Sequence, residues 1–349
     1  MRQPDTLIEL DEPLSVRATL GVIDVGSNAI RLQVARVFQD GSFAVVDDER
    51  EPVRLGEEVF RTGVLSAEAI HRALEVLSRY ALAARRHGAL KVRAVATCAV
   101  REATNGEPFA QEVERVTGLR LETISGVQEA QLIAKGVLSS LEVVRDERMA
   151  LADIGGGSTE ISLVEKGEVR FGVSVPLGSV RMTEMFCLSD PLLPGHERAM
   201  REHIRACLGQ TLPAELFGSW PRVMGSAGTI GALANYVRRR PSVPRPVGPP
   251  RSAFSVRELA KASSSLRKMT LARRRKAPGI EERRAEIVVA GAVILEEICT
   301  HLKARSVKVV RRGLRDGLML EEIERLAALQ GGPPMGPPVR VSRPRRGRP

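Results

Sequence analysis

The chain has 349 residues, a formal net charge of +11, 43% hydrophobic residues and only 3% aromatic residues. This length and composition predict two or three domains with aliphatic cores. The sequence contains no run of 18 apolar residues and no apolar signal-peptide core near its start, which argues against a transmembrane helix and against secretion. Its four cysteines are isolated and lack CxxC spacing, so we expect a cytoplasmic protein without a disulfide framework or a zinc site.

The first part of the chain has the pattern of an α/β domain. Residues 1–17 are expected to be a flexible leader. Three strands follow over residues 19–56, separated by turns at Gly26-Ser27-Asn28 and Asp40-Gly41. A helix with Ser66 as its N-cap runs to Gly88, and strand and helix then alternate twice up to residue 141. This order predicts an N-terminal α/β domain over residues 18–145.

The second part repeats the first. The phrase "ADIGGGSTEISLV" at residues 152–164 matches "VIDVGSNAIRLQV" at residues 22–34, with Asp153 aligned to Asp24 at an offset of 129 residues. This offset is too long for a solenoid and fits a duplicated domain. The C-terminal domain is predicted over residues 146–328. It comprises three strands, a helix, a strand with its helix, an apolar helix within residues 280–302, a strand over 306–310 and a closing helix.

The positive charge is concentrated in two segments. Residues 238–276 contain thirteen Lys and Arg and one acid, and the last twenty residues contain five Arg and no acid, so the remainder is mildly acidic. The Pro-rich residues 238–252 are predicted to be an insertion and residues 329–349 a disordered tail. Such local charge is typical either of a polyanion-binding surface or of a solvated segment.

Aspartates and glycines end the first strand of each repeat. A glycine turn lets backbone N–H groups approach an anion, and a neighbouring aspartate can hold a divalent cation that in turn holds phosphate. Asp24 and Asp153 therefore predict a magnesium–phosphate site in a cleft between the repeats, with plain hairpin turns as the alternative. A further turn at Gly225-Ser226 precedes a helix, where either an anion site or ordinary capping is expected.

Two charged residues have both a structural and a functional interpretation. Glu129 lies near the start of a helix, where a carboxylate commonly interacts with the helix dipole. Arg101 follows a strand end, where it is either a surface charge or a bidentate phosphate clamp.

Seven phrases in family order resemble the exopolyphosphatase / guanosine pentaphosphate phosphatase (Ppx/GppA) family over residues 18–325. The most specific are "ADIGGGSTEIS" and "ISGVQEAQLIAKGV"; the others are "IDVGSNAIRLQVARV", "ATCAVREATN", "GSAGTIGALA", "PGIEERRAEIVVAGAVILEE" and "GLRDGLMLEE". The resemblance implies duplicated ribonuclease H-like α/β domains of the actin, sugar-kinase and chaperone-ATPase superfamily, flanking a cleft. No His-Asp dipeptide occurs, so the chain resembles the short, two-domain form.

The resemblance implies hydrolysis of the terminal phosphoanhydride of inorganic polyphosphate, or of pppGpp to ppGpp, by a water that Glu129 activates. It also implies Mg²⁺ or Mn²⁺ held by Asp24, Asp153 and Glu160. The implied phosphate-binding residues are Ser27, Asn28, Arg101, Gly155, Gly156, Gly157, Ser158, Thr159, Gly225 and Ser226.

The expected partners are polyphosphate or guanosine penta- and tetraphosphate, with no membrane. A nucleic-acid partner is not favoured, although the basic segments leave one open. A homodimer is also left open. Two other functions also remain: a kinase or ATPase of the same superfamily, or a protein that binds polyphosphate or the alarmone without hydrolysis.

Three departures from the family pattern stand out. Gln128 precedes Glu129 where the family commonly has a second acid, and Ala29 removes a hydroxyl from the first turn. Arg311 and Arg312 replace an acid and a glycine, which brings any metal or nucleotide contact from that loop into question. Because Glu129 itself is retained, activity is still expected.

Overall fold

The computed structural model describes residues 15–141, 148–212, 220–239 and 253–329, together with a short strand at 340–341. The first half contains β1 (Val16–Val25), β2 (Ile30–Phe38), β3 (Phe43–Glu51), α1 (Val59–Thr62), α2 (Ala67–Arg86), β4 (Lys91–Ala96), α3 (Cys98–Glu102), α4 (Gly106–Thr117), β5 (Leu121–Thr123) and α5 (Gly126–Leu138).

The second half begins with β6 (Arg148–Ile154), β7 (Thr159–Glu165), β8 (Glu168–Val175), α6 (Ser179–Phe186), α7 (Pro194–Thr211), β9 (Arg222–Ser226) and α8 (Ala227–Arg239). It continues with β10 (Ala253–Ser255), α9 (Val256–Arg267), α10 (Leu271–Arg275), α11 (Val288–His301), β11 (Ser306–Val309), α12 (Leu314–Leu329) and β12 (Arg340–Val341). None of the helices in the described ranges is both long and apolar enough for a bilayer crossing.

Each half contains a sheet, and the two sheets share the same core topology. The first sheet has the strand order β12-β3-β2-β1-β4-β5 and the second has β10-β11-β9-β6-β7-β8, so β3-β2-β1-β4-β5 corresponds to β8-β7-β6-β9-β11. In each, the first three strands are antiparallel and the last two join in parallel. The predicted duplicated α/β fold is therefore confirmed.

Local sequence explains the main elements. The apolar run of β1 is buried because the strand lies in the interior of its sheet. Helix α2 begins as predicted, with the Ser66 hydroxyl accepting from the Ala69 N–H, and its stripe of small and apolar side chains faces the core. Helix α11, predicted as an apolar helix, is almost entirely buried in the core of the second half.

The sequence did not reveal the short helices. Helices α1, α3 and α6 have four, five and eight residues, too few for a clear apolar period. Helix α11 begins only at Val288 because residues 282–284 form a 3-10 turn. Strand β1 begins at Val16, inside the expected leader, and β12 pairs with β3 inside the tail that was predicted to be disordered; residues 1–14, 330–339 and 342–349 lie outside the described residues.

The basic segment 238–276 is not one solvated stretch. Residues 240–252 of the predicted insertion lie outside the described residues, but α9 packs against α11 through buried Leu259 and Leu266. Arg267 pairs with Glu197 and Glu296, and buried Arg274 donates to the carbonyl of Ala285. Part of the positive charge in this segment is thus neutralised within the fold.

The closing helix α12 ties the two halves together. It crosses α5 so closely that a Cβ atom added to Gly317 would lie 1.9 Å from the carbonyl oxygen of Leu132. One added to Gly136 would lie 2.2 Å from the carbonyl oxygen of Gly313. Two glycines therefore permit the contact between the helix that carries Glu129 and the end of the second half.

Candidate active site

The two glycine turns meet in a cleft between the sheets. The cavity there has a volume of 580 Å³. A Cβ atom added to Gly156 would lie 3.0 Å from Cβ of Ser27 and 3.2 Å from the backbone nitrogen of Asn28. The turns of the two repeats therefore lie against each other, and glycine is needed for this approach.

Equivalent backbone hydrogen bonds close the two turns. The N–H of Gly26 donates to the carbonyl of Ala29 at 3.3 Å, and the N–H of Gly155 donates to the carbonyl of Ser158 at 3.0 Å. In the second turn the carbonyls of Gly155 and Gly156 accept from N–H groups at the start of α6. Because C=O and N–H point in opposite directions across a trans peptide, the N–H groups that follow these carbonyls point away from α6. Such outward amides suit an anion.

Most of the residues predicted for the site line this cavity. They are Asp24, Ser27, Asn28, Glu129, Asp153, Gly155, Gly156, Gly157, Ser158 and Glu160. The structure thus brings together the predicted base, the three predicted metal-binding acids and most of the phosphate-binding residues.

Four predicted residues do not line the cavity. The Arg101 guanidinium contacts Glu129, and the Thr159 hydroxyl donates to the carbonyl of Leu177. Gly225 packs against Ile230, and a Cβ atom added to it would lie 2.6 Å from Cγ2 of that side chain. Ser226 donates to Asp153. Direct phosphate contacts from these four residues remain predictions, and each residue has a structural partner instead.

Glu129 is a buried carboxylate with one basic partner. Nη1 of Arg101 donates to its Oε2 at 3.1 Å and to the carbonyl of Ile124 at 2.9 Å. Burial, followed by the negative charge of Glu160, raises the pKa of Glu129 well above its ordinary value, although Arg101 opposes the rise. Arg101 thus fixes the orientation of a carboxylate that binds a proton more readily than an ordinary glutamate does.

The acids of the second repeat are also perturbed. Burial and the charge of Asp153 raise the pKa of Glu160 to about 7, while hydroxyls of Ser158 and Ser174, each donating to Oε1 at 2.7 Å, oppose the rise. Burial raises the pKa of Asp153, and the hydroxyl of Ser226, 2.5 Å from Oδ2, opposes that rise. Burial likewise raises the pKa of Asp24, and the nearby positive charge of Arg31 is the main effect that opposes this rise.

Strand register arranges these side chains in two matching rows. In the first sheet Asp24 is paired with Arg31, and Arg31 with Arg50. In the second sheet the equivalent row is Asp153, Glu160 and Ser174. The duplicated hairpins therefore present a largely basic row on one side of the cleft and an acidic, hydroxyl-bearing row on the other.

Sequence reasoning missed the basic row. Burial and then the charges of Arg284 and Arg31 lower the pKa of Arg50 to about 9, and burial followed by Arg31 lowers the pKa of Arg284 to about 10. The buried Nε atom of Arg50 has no hydrogen-bond partner among the described residues. Like charges held together in a cleft indicate an anion site, since an anion would relieve their repulsion.

The three departures from the family pattern have identifiable places. The side chain of Gln128 accepts from the N–H of Ser125 at 2.8 Å and completes the capping box of α5, so it serves the helix that carries Glu129. Ala29, Arg311 and Arg312 line the cavity, and Nη1 of Arg312 donates to the Ser139 hydroxyl at 2.7 Å. The last loop therefore adds positive charge to the cleft.

Two of the three predicted metal-binding acids fit a magnesium site, and the third fits less well. Within the described ranges, no three His, Cys, Asp or Glu side chains are gathered as a metal-binding group. Mg²⁺ commonly needs only one or two carboxylates and completes its shell with water and substrate phosphates. Asp24 and Asp153 fit this requirement, because both line the cavity and the charge of Asp24 raises the pKa of Asp153. Glu160 fits less well, because its Oε1 already accepts from two hydroxyls.

Comparison with known proteins identifies the family. The model of the Ppx/GppA phosphatase family matches residues 34–326. The chain belongs to the Ppx/GppA phosphatase family. The family match begins within β2, after the first glycine turn, and it includes the second glycine turn and the helix that carries Glu129.

Several Ppx/GppA relatives are similar over nearly their full length. The chain is 32% identical to exopolyphosphatase 2 of Mycobacterium tuberculosis, with 86% of this chain and 97% of the relative covered. It is 29% identical to exopolyphosphatase 1 of Mycobacterium leprae, with 87% and 89% covered. The crystal structure of the Aquifex aeolicus family member has a TM-score of 0.72 at 28% identity and covers 90% of this chain and 99% of its own.

Proposed function

We propose that this protein is a phosphohydrolase that removes the terminal phosphate of inorganic polyphosphate. The observation that carries the proposal is Glu129, a buried carboxylate with a raised pKa that lines the same cavity as two opposed glycine turns. Phosphoryl transfer to water needs little more than a positioned water and neutralised phosphate charge. The similar exopolyphosphatases of the two Mycobacterium species support the assignment of the substrate class.

In the proposed mechanism, the second glycine turn binds the oxygens of the terminal phosphate through its backbone N–H groups. Glu129 orients a water towards the phosphorus and takes its proton, while Arg101 keeps the carboxylate in place. The bridging P–O bond then breaks, releasing orthophosphate and a shortened chain. Asp24 and Asp153 would hold Mg²⁺, which supplies neutralisation of phosphate charge when bound.

The walls of the cavity favour a linear polyanion. Its lining includes eight arginines: Arg31, Arg50, Arg238, Arg283, Arg284, Arg311, Arg312 and Arg315. No aromatic side chain is among the described residues that line it, so a guanine base would have no aromatic ring on which to stack. These features favour polyphosphate over pppGpp, although both would present a terminal phosphate to the same turns.

A side-by-side assay tests the proposal. The full chain is incubated with Mg²⁺ and either polyphosphate or pppGpp, and released orthophosphate is measured without any acceptor. We expect release from polyphosphate with the higher kcat/KM. Release only from pppGpp would overturn the substrate assignment, and tight binding of either compound without release would indicate a non-hydrolysing binding protein. Dependence on an added acceptor would indicate a kinase.

A further inference from the structure

Arg181, at the start of α6, contacts both halves of the protein around the second glycine turn. Its Nε donates to the carbonyl of Gly157 at 2.8 Å, and its Nη2 lies 2.7 Å from both carboxylate oxygens of Glu102 in the first half. Its guanidinium also lies over the ring of Phe60, with Cζ 4.1 Å from the ring centroid. One side chain therefore binds the turn, an acid and an aromatic ring.

On the side of the glycine turn, Arg181 completes a set of carbonyl contacts. The N–H groups of Ser179 and Val180 donate to the carbonyls of Gly155 and Gly156 at 2.9 and 2.8 Å, and the Arg181 side chain binds the next carbonyl, that of Gly157. These bonds turn consecutive carbonyls towards α6 and hence the following N–H groups towards the opposite side. Because the Gly157 carbonyl depends on a side chain, a substitution can release it without changing the backbone of α6.

On the side of the first half, Arg181 reaches the short helix that positions the base. Glu102 is the last residue of α3, and the preceding residue, Arg101, holds Glu129. The thiol of Cys98, at the other end of α3, donates to Oε1 of Glu102 at 3.1 Å. Burial followed by the charge of Glu102 raises the pKa of this thiol to about 12, which keeps it a donor. A continuous chain of contacts thus runs from Gly157 through Arg181 and α3 to Glu129.

We propose that Arg181 is a positioning residue that keeps the glycine turn of the second half aligned with Glu129 of the first half. This inference rests on the proposed function, since it concerns how the phosphate-binding turn is aligned with the base. Displacing a bound group by about 1 Å can cost about 100-fold in rate, so loss of this alignment lowers kcat more than it weakens binding.

Four single variants and one double variant test the inference. Arg181→Gln removes the charge and the fork of donors, and Arg181→Lys keeps the charge but not the fork. Glu102→Gln weakens the same contact from a half-exposed position, which keeps the test valid if the arginine variants fold poorly. Glu286→Gln is the matched control, because it removes another ion pair between the halves, 3.3 Å from Arg54, without contacting the turn.

The expected result is a selective loss of turnover on polyphosphate. Arg181→Gln and Glu102→Gln should lower kcat about 10- to 100-fold with KM changed less than threefold. The double variant that combines Arg181→Gln with Glu102→Gln should have a kcat no lower than that of the less active single variant, and Arg181→Lys should not restore kcat. Glu286→Gln should match the wild type. Unchanged kcat in Arg181→Gln, an equal loss in Glu286→Gln, or multiplicative losses in the double variant would overturn the inference.

A second readout separates this inference from the proposed function. Hydrogen exchange of the peptide that contains residues 155–159 should be faster in Arg181→Gln and Glu102→Gln than in wild type or Glu286→Gln. This measurement requires no turnover. If the wild type released no phosphate, the proposed function would fail while hydrogen exchange still tested the positioning role. Unchanged exchange in both variants would overturn that role even in an active enzyme.

Discussion

At the scale of single residues, the cleft contains two buried glutamates in different surroundings. The exposed fractions of Glu129 and Glu160 are only 6% and 3%, and burial is the largest cause of the raised pKa of each. Glu160 accepts from two hydroxyls, whereas Glu129 is held by Arg101. The two carboxylates therefore have different partners: a guanidinium orients Glu129, and two hydroxyls hold Glu160 within its row.

Replacing Glu129 by glutamine should abolish most turnover without unfolding the protein. The amide keeps the size of the side chain but cannot accept the proton of the attacking water, so kcat should fall about 10²- to 10⁴-fold. Steady-state phosphate release from polyphosphate measures the effect. Glu114→Gln, an exposed change on α4, is the matched control and should retain the wild-type rate. A Glu129→Gln enzyme within threefold of wild type would exclude the proposed base.

The raised pKa of Glu160 predicts how stability depends on pH in the absence of metal. The folded protein keeps this proton up to a pKa of about 7, whereas the unfolded chain loses it near 4.5. The native state therefore binds more protons between these values, and rising pH favours unfolding. Relative to Glu160→Gln, the wild type should lose about 3 kcal/mol in its free energy of unfolding across this range. Denaturant titrations in EDTA measure the difference; parallel pH profiles would contradict it.

Sequence predicted some residues of the site and missed others for a physical reason. Asp24, Asp153 and their glycines could be predicted because they recur at a fixed offset. Arg50 could not, because its place beside Arg31 depends on the register of β2 and β3. Arg31 did leave a signal: it follows Asp24 by seven residues, just as Glu160 follows Asp153.

At the scale of elements, the crossing of α5 and α12 supports the helix that carries Glu129. Helix α5 carries Glu129 on one side, while α12 packs against it and against β1. The apolar side chains of both helices share one core with strands of both sheets. The position of Glu129 thus depends on the end of the second half. The duplicated hairpins could be predicted from sequence, but this crossing could not, since it joins segments far apart in the chain.

Gly317→Ala should destabilise the protein through this crossing. Its new methyl group would lie 1.9 Å from the carbonyl oxygen of Leu132, so the helices must separate, at a cost of about 1–3 kcal/mol. Gly209→Ala is the matched control in α7, where an added Cβ atom would meet no atom within 4 Å. The control should stabilise by about 0.5–1 kcal/mol, because alanine favours helix. Thermal unfolding measures both changes, and the same sign in both would contradict the close contact.

At the scale of the whole molecule, charge is distributed unevenly around the cleft. Buried Glu129 and Glu160 line the cavity near the glycine turns, whereas Arg283 and Arg311, which also line the cavity, are exposed. Arg238, at the end of α8, lines the same cavity and leads into residues 240–252. Composition indicated either a polyanion-binding surface or a solvated segment, and it could not show which basic residues are already paired within the fold, as Arg267 and Arg274 are.

Removing residues 241–251 should weaken the binding of long-chain polyphosphate more than the binding of a short substrate. This segment carries Arg245 and Arg251 and begins three residues after Arg238, whereas the helix that follows belongs to the core and must be kept. KM for long-chain polyphosphate should rise about threefold or more at low salt, and the difference should shrink at high salt because the charges are screened. Tripolyphosphate is the control substrate and should be unaffected. Equal changes for both substrates would contradict a role in holding the distal chain.

The most direct test of the central claim is hydrolysis of polyphosphate in water labelled with ¹⁸O. Attack by a Glu129-activated water on the terminal phosphorus predicts one ¹⁸O atom in each released orthophosphate, with release nearly abolished in Glu129→Gln. Orthophosphate without the label, or labelled release by Glu129→Gln at the wild-type rate, would contradict the proposed mechanism.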